Sequence, residues 1–149
     1  VYVADTDSNR VQKFSNTGTF IRKWGSTGTG DGQFNLPRGV AVDSSGNVYV
    51  TDTNNDRIQK FSNTGTFIRK WGSEGTGDGQ FNDPRGVDVD SSGNVFVADT
   101  ENSRIQKFSN TGTFIRKWGT FGTMSIPLDA QNLDPLKTTL DSKKSDPFS

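Results

Sequence analysis

The sequence predicts an all-β protein made of repeated sheets, each with four antiparallel strands. The tripeptide Val1-Tyr2-Val3 recurs as Val48-Tyr49-Val50 and as Val95-Phe96-Val97, so the chain repeats itself every 47 residues. Within each repeat, short apolar runs alternate with turn residues, and no run has the apolar spacing of a helix. Repeats of about 40–50 residues with four strands each are typical of β-propeller blades.

The middle repeat shows where its four strands fall. We expect strands over Arg38–Asp43, Asn47–Asp52, Arg57–Ser62 and Thr66–Gly72. The segments between them contain Gly, Asn, Asp, Ser and Thr, which are the residues that tight turns favour. A glycine-rich connection over residues 73–84 then leads to the next repeat.

A single blade cannot bury both faces of its sheet, so its apolar residues are expected to fill the space between neighbouring blades. The expected filling residues are Val40, Val42, Val48, Tyr49, Val50, Ile58, Phe61, Phe67, Trp71 and Phe81. The recurring pairs Asp52/Arg57 and Asp99/Arg104 are expected to tie strands or adjacent blades together.

Composition disfavours several functions. The sequence contains no cysteine and no histidine, so it has no disulfide framework, no thiolate nucleophile and no histidine to hold zinc or act as a base. We therefore predict no catalytic residue, no metal site and no cofactor. The 17 basic and 17 acidic residues cancel, which argues against nucleic acid as a partner, and no apolar stretch is long enough to span a membrane.

The repeats also resemble a known family. Residues 79–87 read GQFNDPRGV, residues 89–99 read VDSSGNVFVAD, residues 102–108 read NSRIQKF, and the same pattern stands at residues 32–67. These stretches resemble the NHL repeat, and the resemblance covers residues 1 to about 119. It implies a β-propeller, usually six-bladed, that contacts proteins, nucleic acids or glycans. The repeats are also similar to those of bacterial and archaeal surface proteins, which implies an extracellular or cell-surface location.

The number of repeats is lower than a closed propeller needs. Residues 33–72 and 80–119 are complete repeats, whereas residues 1–25 lack the first strand. Closed propellers have roughly four to eight blades, so this set leaves two apolar end faces. Three explanations stay open: a fragment of a longer propeller, two chains that share one ring, or chains joined end to end. The sequence opens without a methionine, and we expect it to be processed or partial.

Residues 120–149 depart from the repeat. Ile126–Asn132 faintly echoes a first strand and is a candidate to replace the missing one, although Pro127 cannot donate to a ladder. Pro135–Lys143 is expected to form a short helix or a turn. The tail residues expected to serve assembly are Ile126, Leu128, Leu133, Leu136 and Leu140. The alternative is a linker to another domain.

In a propeller, the connections between blades and those between second and third strands emerge on one face. Loops on such a rigid scaffold are the usual place for binding. The binding residues expected there are Asp31, Asn54, Asn55, Asp56, Asp78, Glu101 and Asn102. We therefore predict a self-associating homo-oligomeric module without enzymatic activity that forms a ring or filament. The alternative is a propeller that binds a glycan, a peptide or a nucleic acid on the loop face.

Overall fold

The computed structural model describes residues 1–122 and contains three antiparallel sheets, which we call blades 1 to 3. Blade 1 has three strands: β1 (Tyr2–Asp5), β2 (Arg10–Phe14) and β3 (Phe20–Trp24). Blade 2 has four: β4 (Pro37–Val42), β5 (Val48–Asp52), β6 (Arg57–Phe61) and β7 (Phe67–Trp71). Blade 3 has four: β8 (Pro84–Val89), β9 (Val95–Asp99), β10 (Arg104–Phe108) and β11 (Phe114–Trp118).

The strands of each blade pair in chain order, and this confirms the predicted blade architecture. Each predicted strand of the middle repeat begins and ends within one residue of the observed strand. A three-residue 3-10 turn joins two strands of each blade: Thr6–Ser8 between β1 and β2, Thr53–Asn55 between β5 and β6, and Thr100–Asn102 between β9 and β10. No helix within residues 1–122 is long and apolar enough to cross a membrane.

The turn between β4 and β5 shows how the sequence fixes local geometry. Asp43 Oδ1 accepts the backbone N–H groups of Ser45 and Asn47, both at 2.9 Å, and Gly46 takes the left-handed φ of +87° that this reversal requires. Asp43 Oδ2 accepts the Tyr49 hydroxyl at 2.9 Å. Burial raises the pKa of Asp43, but these hydrogen bonds outweigh it and hold the pKa below its usual value.

The core lies between blades rather than within them. Alternate side chains of β5 point to opposite neighbours, because successive residues of a strand face opposite sides of a sheet. Val48 and Val50 join the cluster shared with blade 1, which also contains Val11, Phe34 and Phe61. The cluster shared with blade 3 contains Tyr49, Ile58, Phe81, Val95, Val97 and Phe108.

Most of the predicted filling residues are buried, but not all of them. Val40, Phe67 and Trp71 are partly buried against the two clusters. The prediction for Val42 was wrong, since this residue is 42% exposed. It is the last residue of β4, where the sheet ends at the turn.

The tail predictions lie outside the described residues. These are the strand-like segment Ile126–Asn132, the segment Pro135–Lys143 and the assembly residues Ile126, Leu128, Leu133, Leu136 and Leu140.

Candidate functional site: the junctions between blades

Each blade brings an aspartate, an arginine and a glutamine together beside the 3-10 turn that joins two of its strands. In blade 2, Asp52 ends β5 and Arg57 begins β6, and the antiparallel register sets them opposite one another. Arg57 Nε donates to Asp52 Oδ2 at 2.7 Å, and Gln59 Nε2 donates to the same oxygen at 3.1 Å. The Asp52 side chain is fully buried and that of Arg57 is 8% exposed. We call this set the Asp–Arg–Gln cluster.

The arginine of this cluster holds the glycine-rich connection that runs from blade 1 into blade 2. Arg57 Nη1 donates to the carbonyl of Thr29 at 2.8 Å. Its Nη2 donates to the carbonyls of Gly30 and Gln33 at 2.9 and 3.0 Å. All three acceptors are backbone atoms, so the planar guanidinium recognises the path of the connection rather than its side chains.

The other two members of the cluster complete the contact with this connection. Gln59 Nε2 donates to the carbonyl of Gln33 at 2.6 Å, and Gln59 Oε1 accepts the N–H of Gly32 at 2.9 Å. Asp52 Oδ1 accepts the N–H of Asn35 at 2.8 Å. The cluster thus satisfies partly buried backbone groups of a segment that belongs to no sheet, and leaving such groups unpaired would cost stability.

Blades 3 and 1 repeat the cluster with different surroundings. In blade 3, Arg104 donates to the carbonyls of Thr76, Gly77 and Gln80 at 2.8, 2.9 and 3.0 Å. In blade 1, Arg10 Nε donates to Asp5 at 2.7 Å, and no residue of the described part of the chain bonds its two Nη groups. The expectation that the Asp52/Arg57 and Asp99/Arg104 pairs tie strands together is confirmed, and each arginine also holds the connection that comes from the preceding blade.

A tryptophan on the outer strand of one blade packs on a glycine in the hairpin of the next. An added Cβ at Gly65 would lie 2.7 Å from the Trp24 ring, and one at Gly112 would lie 2.7 Å from the Trp71 ring. A larger residue therefore does not fit at either glycine without repacking the junction. Gly18 is the corresponding residue of blade 1, and nothing lies within 4 Å of its added Cβ.

A lysine next to each of these junctions donates to the same hairpin. Lys13 Nζ reaches the carbonyl of Asn63 at 3.1 Å, and Lys60 Nζ reaches that of Asn110 at 2.9 Å. The Lys60 ammonium also lies 5.3 Å from the centre of the Tyr49 ring. Burial lowers the pKa of Lys60, although the charge of Asp43 opposes the fall. Burial has the opposite effect on the Tyr49 hydroxyl, whose pKa it raises, and the hydrogen bond to Asp43 raises that pKa further.

Four of the predicted loop-face residues bind other parts of the chain. Asp31 forms an ion pair with Lys70 at 2.7 Å. Asp78 does the same with Lys117 at 2.6 Å. Asn55 Nδ2 donates inward to the carbonyl of Gly28 at 2.9 Å and to Asp52. Asn102 repeats these contacts in blade 3, with Gly75 and Asp99.

The remaining three predicted residues lie together. Asn54, Asp56 and Glu101 line a shallow groove of about 360 Å³ between blades 2 and 3, beside Asn82 and Asp83. Asp56 Oδ1 accepts the N–H of Asp83 at 2.7 Å. Burial raises the pKa of Asp56, and the nearby acidic side chains add to the rise. Within residues 1–122, no group of three acidic, histidine or cysteine side chains has the geometry to hold a metal.

Sequence reasoning missed two of the residue types that build the junctions. Gln59 and Gln106 are fully buried polar residues, and Gly65 and Gly112 receive tryptophan rings. Their recurrence at the 47-residue spacing was visible. Their partners were not, because each contact joins a strand to a segment of the preceding connection or of another blade.

Comparison with known proteins supports the repeat assignment. Residues 34–61 and 81–108 match the family model described as the NHL repeat. Both matches begin at the phenylalanine of a connection and end at the phenylalanine on which it packs, with ring centres 5.7 and 5.6 Å apart. No curated protein matches the sequence.

Several solved structures share the fold. A streptogramin B lyase is similar with a TM-score of 0.61 and 20% identity, over 87% of this chain and 38% of that protein. A virginiamycin B lyase from Staphylococcus aureus has a TM-score of 0.57 and 13% identity, over 79% and 36%. A gluconolactonase from Xanthomonas campestris has a TM-score of 0.53 and 20% identity, over 76% and 35%. This chain therefore spans little more than a third of each.

The expectation that this chain lacks enzymatic activity was wrong. Proteins of the same fold include two lyases, a gluconolactonase and a luciferin-regenerating enzyme. A propeller scaffold hosts catalysts as well as binding modules, because its chemistry resides in the loops and not in the blades. At these identities the likeness establishes the fold and not the reaction.

The fold neighbours and the repeat matches agree with the blades described above. Each match spans the end of a connection and the first three strands of a blade, in blade 2 and again in blade 3. Residues 34–61 and 81–108 of this chain are therefore NHL repeats, and they build blades of a β-propeller fold.

Proposed function

We propose that this chain is an assembly module in which blade 3 of one copy binds blade 1 of a second copy. One observation carries this proposal: the outer face of blade 3 repeats the face of blade 2 that binds blade 3. We call it the trailing face, and its residues are Phe96, Ala98, Ile105, Lys107 and Trp118. Their counterparts in blade 2 are Tyr49, Thr51, Ile58, Lys60 and Trp71.

The trailing face has the shape and polarity of a blade junction. Gly86, Phe96, Ala98 and Ile105 line an apolar groove of about 210 Å³. Trp118 is 47% exposed, whereas its counterpart Trp71 packs on Gly112. Contiguous apolar surface of this kind on a soluble protein marks an interaction site.

The outer face of blade 1, which we call the leading face, is complementary to it. Val1 and Val3 are 68% and 42% exposed, while their counterparts in blade 2 are fully buried. Docking in the manner of the two internal junctions would place Trp118 on Gly18, as Trp24 lies on Gly65. The same docking would bring Lys107 to the carbonyl of Asn16, as Lys13 binds that of Asn63.

This contact uses different surfaces on the two copies, so it closes into a ring or continues as a filament, depending on the rotation between copies. The similarity to repeats of surface proteins supports an extracellular or cell-surface location for such an assembly.

Sedimentation velocity over a concentration series tests the proposal. We expect the chain to form dimers or larger species, and we expect Trp118→Ser to abolish them. Phe121→Ser is the matched control, since Phe121 is 80% exposed but lies beyond the trailing face. A monomer at every concentration, or association that survives Trp118→Ser, would contradict the proposal.

The groove between blades 2 and 3 supports a second candidate, a ligand site for a glycan or a cationic peptide. It gathers Asn54, Asp56 and Glu101 with four further polar residues. Glycan-array and peptide-array binding by the chain would test it, with Glu101→Gln expected to weaken binding. Asp88→Asn is the control, because Asp88 is exposed on a different part of blade 3.

A further inference from the structure

We propose that blade 1 contains a receptor for a glycine-rich peptide segment of the type Gly-x-Gly-Asp-Gly-Gln-Phe-Asn. The receptor consists of the Asp–Arg–Gln cluster of blade 1 and the apolar side chains beside it, namely Asp5, Arg10, Gln12, Val1, Val3 and Phe14. The inference goes beyond the proposed self-association, because it concerns a connecting segment and not a blade face. Blade 1 would bind a segment of this sequence type whichever polypeptide carries it.

The polar half of the receptor follows from the other two blades. In each of blades 2 and 3, the cluster makes six hydrogen bonds to the backbone of a connection. Arg57 supplies three of them, Gln59 two and Asp52 one. The same donors and acceptors stand in blade 1, where no described residue bonds to Arg10 Nη1 or Nη2, Gln12 Oε1 or Asp5 Oδ1.

The blade 1 cluster already has the arrangement that binding requires. Arg10 Nε and Gln12 Nε2 lie 2.7 and 3.1 Å from Asp5 Oδ2, the same distances as in blades 2 and 3. The arginine and aspartate side chains are 34% and 28% exposed, against 8% and 0% in blade 2. The donors are therefore oriented and accessible, so a segment that binds them does not have to order them first.

The apolar half of the receptor recognises the phenylalanine of the segment. Phe34 of the first connection packs on Phe61 and shares a buried cluster with Val48 and Val50. In blade 1, Phe14 corresponds to Phe61, Val1 to Val48 and Val3 to Val50. Both Val1 and Val3 are exposed. A phenylalanine that enters in register with the polar contacts would cover them.

The backbone conformation of the segment requires glycine at two positions. In the first connection, Gly28 has a φ of +155° and Gly32 a φ of +79°, and Gly75 and Gly79 repeat these values closely. Side chains rarely adopt such angles, so the segment needs glycine at both positions. The glutamine before the phenylalanine accepts the N–H of Gly30 at 2.9 Å and closes the turn.

One difference between the blades predicts a change that strengthens binding. Asn55 and Asn102 donate to the carbonyls of Gly28 and Gly75, whereas the corresponding residue of blade 1 is Ser8. The shorter serine side chain does not extend as far as an asparagine amide. Ser8→Asn should therefore add a seventh contact to the receptor.

The test is titration of the isotopically labelled full chain with a synthetic peptide of residues Ser26–Asn35, followed by NMR and calorimetry. We expect saturable binding that shifts the signals of Val3, Phe14 and Arg10 Nε. Arg10→Ala should weaken binding about tenfold or more, since it removes three hydrogen bonds from a charged donor. Ser8→Asn should tighten it several-fold.

Matched controls keep the outcome decisive. Arg22→Ala removes an exposed arginine from the outer strand of the same blade and should leave peptide binding unchanged. A peptide with alanine in place of its phenylalanine should not bind. The inference is overturned if the peptide fails to bind, if Ser8→Asn and Arg10→Ala both leave its affinity unchanged, or if the shifts fall on the trailing face. Repeating the titration with Trp118→Ser distinguishes failure of this receptor from failure of self-association.

Discussion

Replacing the junction arginine by alanine should destabilise the protein much more in blades 2 and 3 than in blade 1. Arg57→Ala leaves the buried carboxylate of Asp52 without its counter-charge and three backbone carbonyls without a donor. Removing one partner of a buried ion pair costs about 3–5 kcal/mol of unfolding free energy. Arg104→Ala should match this loss, because its side chain is 9% exposed and its contacts repeat those of Arg57.

Arg10→Ala is the internal control, with the same sequence motif in a different environment. Its ion pair with Asp5 is about a third exposed on each side, so water screens the charge that is left behind. Pairs of this kind contribute up to about 1 kcal/mol. The three substitutions therefore compare one chemical change at three burials.

Urea unfolding followed by tryptophan fluorescence measures these losses. With a slope of about 1–3 kcal/mol per molar urea, a loss of about 3–5 kcal/mol lowers the midpoint by roughly 1–5 M, while Arg10→Ala should lower it by less than about 1 M. Arg57→Lys should fall between alanine and the parent chain, since lysine keeps the charge but lacks the fork of donors. Equal losses for Arg10→Ala and Arg57→Ala would refute the assignment of the junctions as the main source of this stability.

Three further predictions concern glycine packing and pH. Gly65→Ala should lower the free energy of unfolding by about 1–3 kcal/mol more than Gly18→Ala. The backbone strain is the same, since φ is +84° and +87° at the two sites, but only Gly65 touches the Trp24 ring; equal losses in urea unfolding would contradict this. Asp43→Asn should destabilise the folded protein at neutral pH, because hydrogen bonds outweigh burial and lower the pKa of Asp43 from 3.8. Thermal melts should show that the variant's loss of stability disappears as the pH falls through the lowered pKa of Asp43 in the folded protein. Asp56→Asn should stabilise the folded protein at neutral pH, because burial and acidic neighbours raise the pKa of Asp56. This gain in stability should be absent below pH 3.8, and a gain that persists there would refute the prediction.

Sequence alone could determine the local geometry of each repeat. Alternating apolar residues predicted the strands, and residues such as Gly46 predicted where the chain reverses, because strand and turn preferences depend on neighbours a few residues away. The pairing of Asp52 with Arg57 was also within reach, since the two residues face each other across one tight turn.

The partners across the junctions could not be predicted in this way. Asn55 was expected to face a ligand, but it donates to Gly28, 27 residues earlier in the chain. Asp31 was expected in the same binding group, but it pairs with Lys70, 39 residues later. Such contacts depend on how far one blade is rotated against the next, and a repeat read by itself carries no measure of that rotation.

The three arginine clusters separate what one repeat of the sequence predicts from what depends on tertiary contacts. Arg10, Arg57 and Arg104 each precede a branched apolar residue, a glutamine and a lysine, and each binds its own aspartate at 2.7 Å. The sequence fixes that pair because both residues belong to one hairpin. Burial distinguishes the three clusters, and it is decided by whether a glycine-rich connection lies across the guanidinium, since an ion pair gains its strength from the exclusion of water by neighbouring chain.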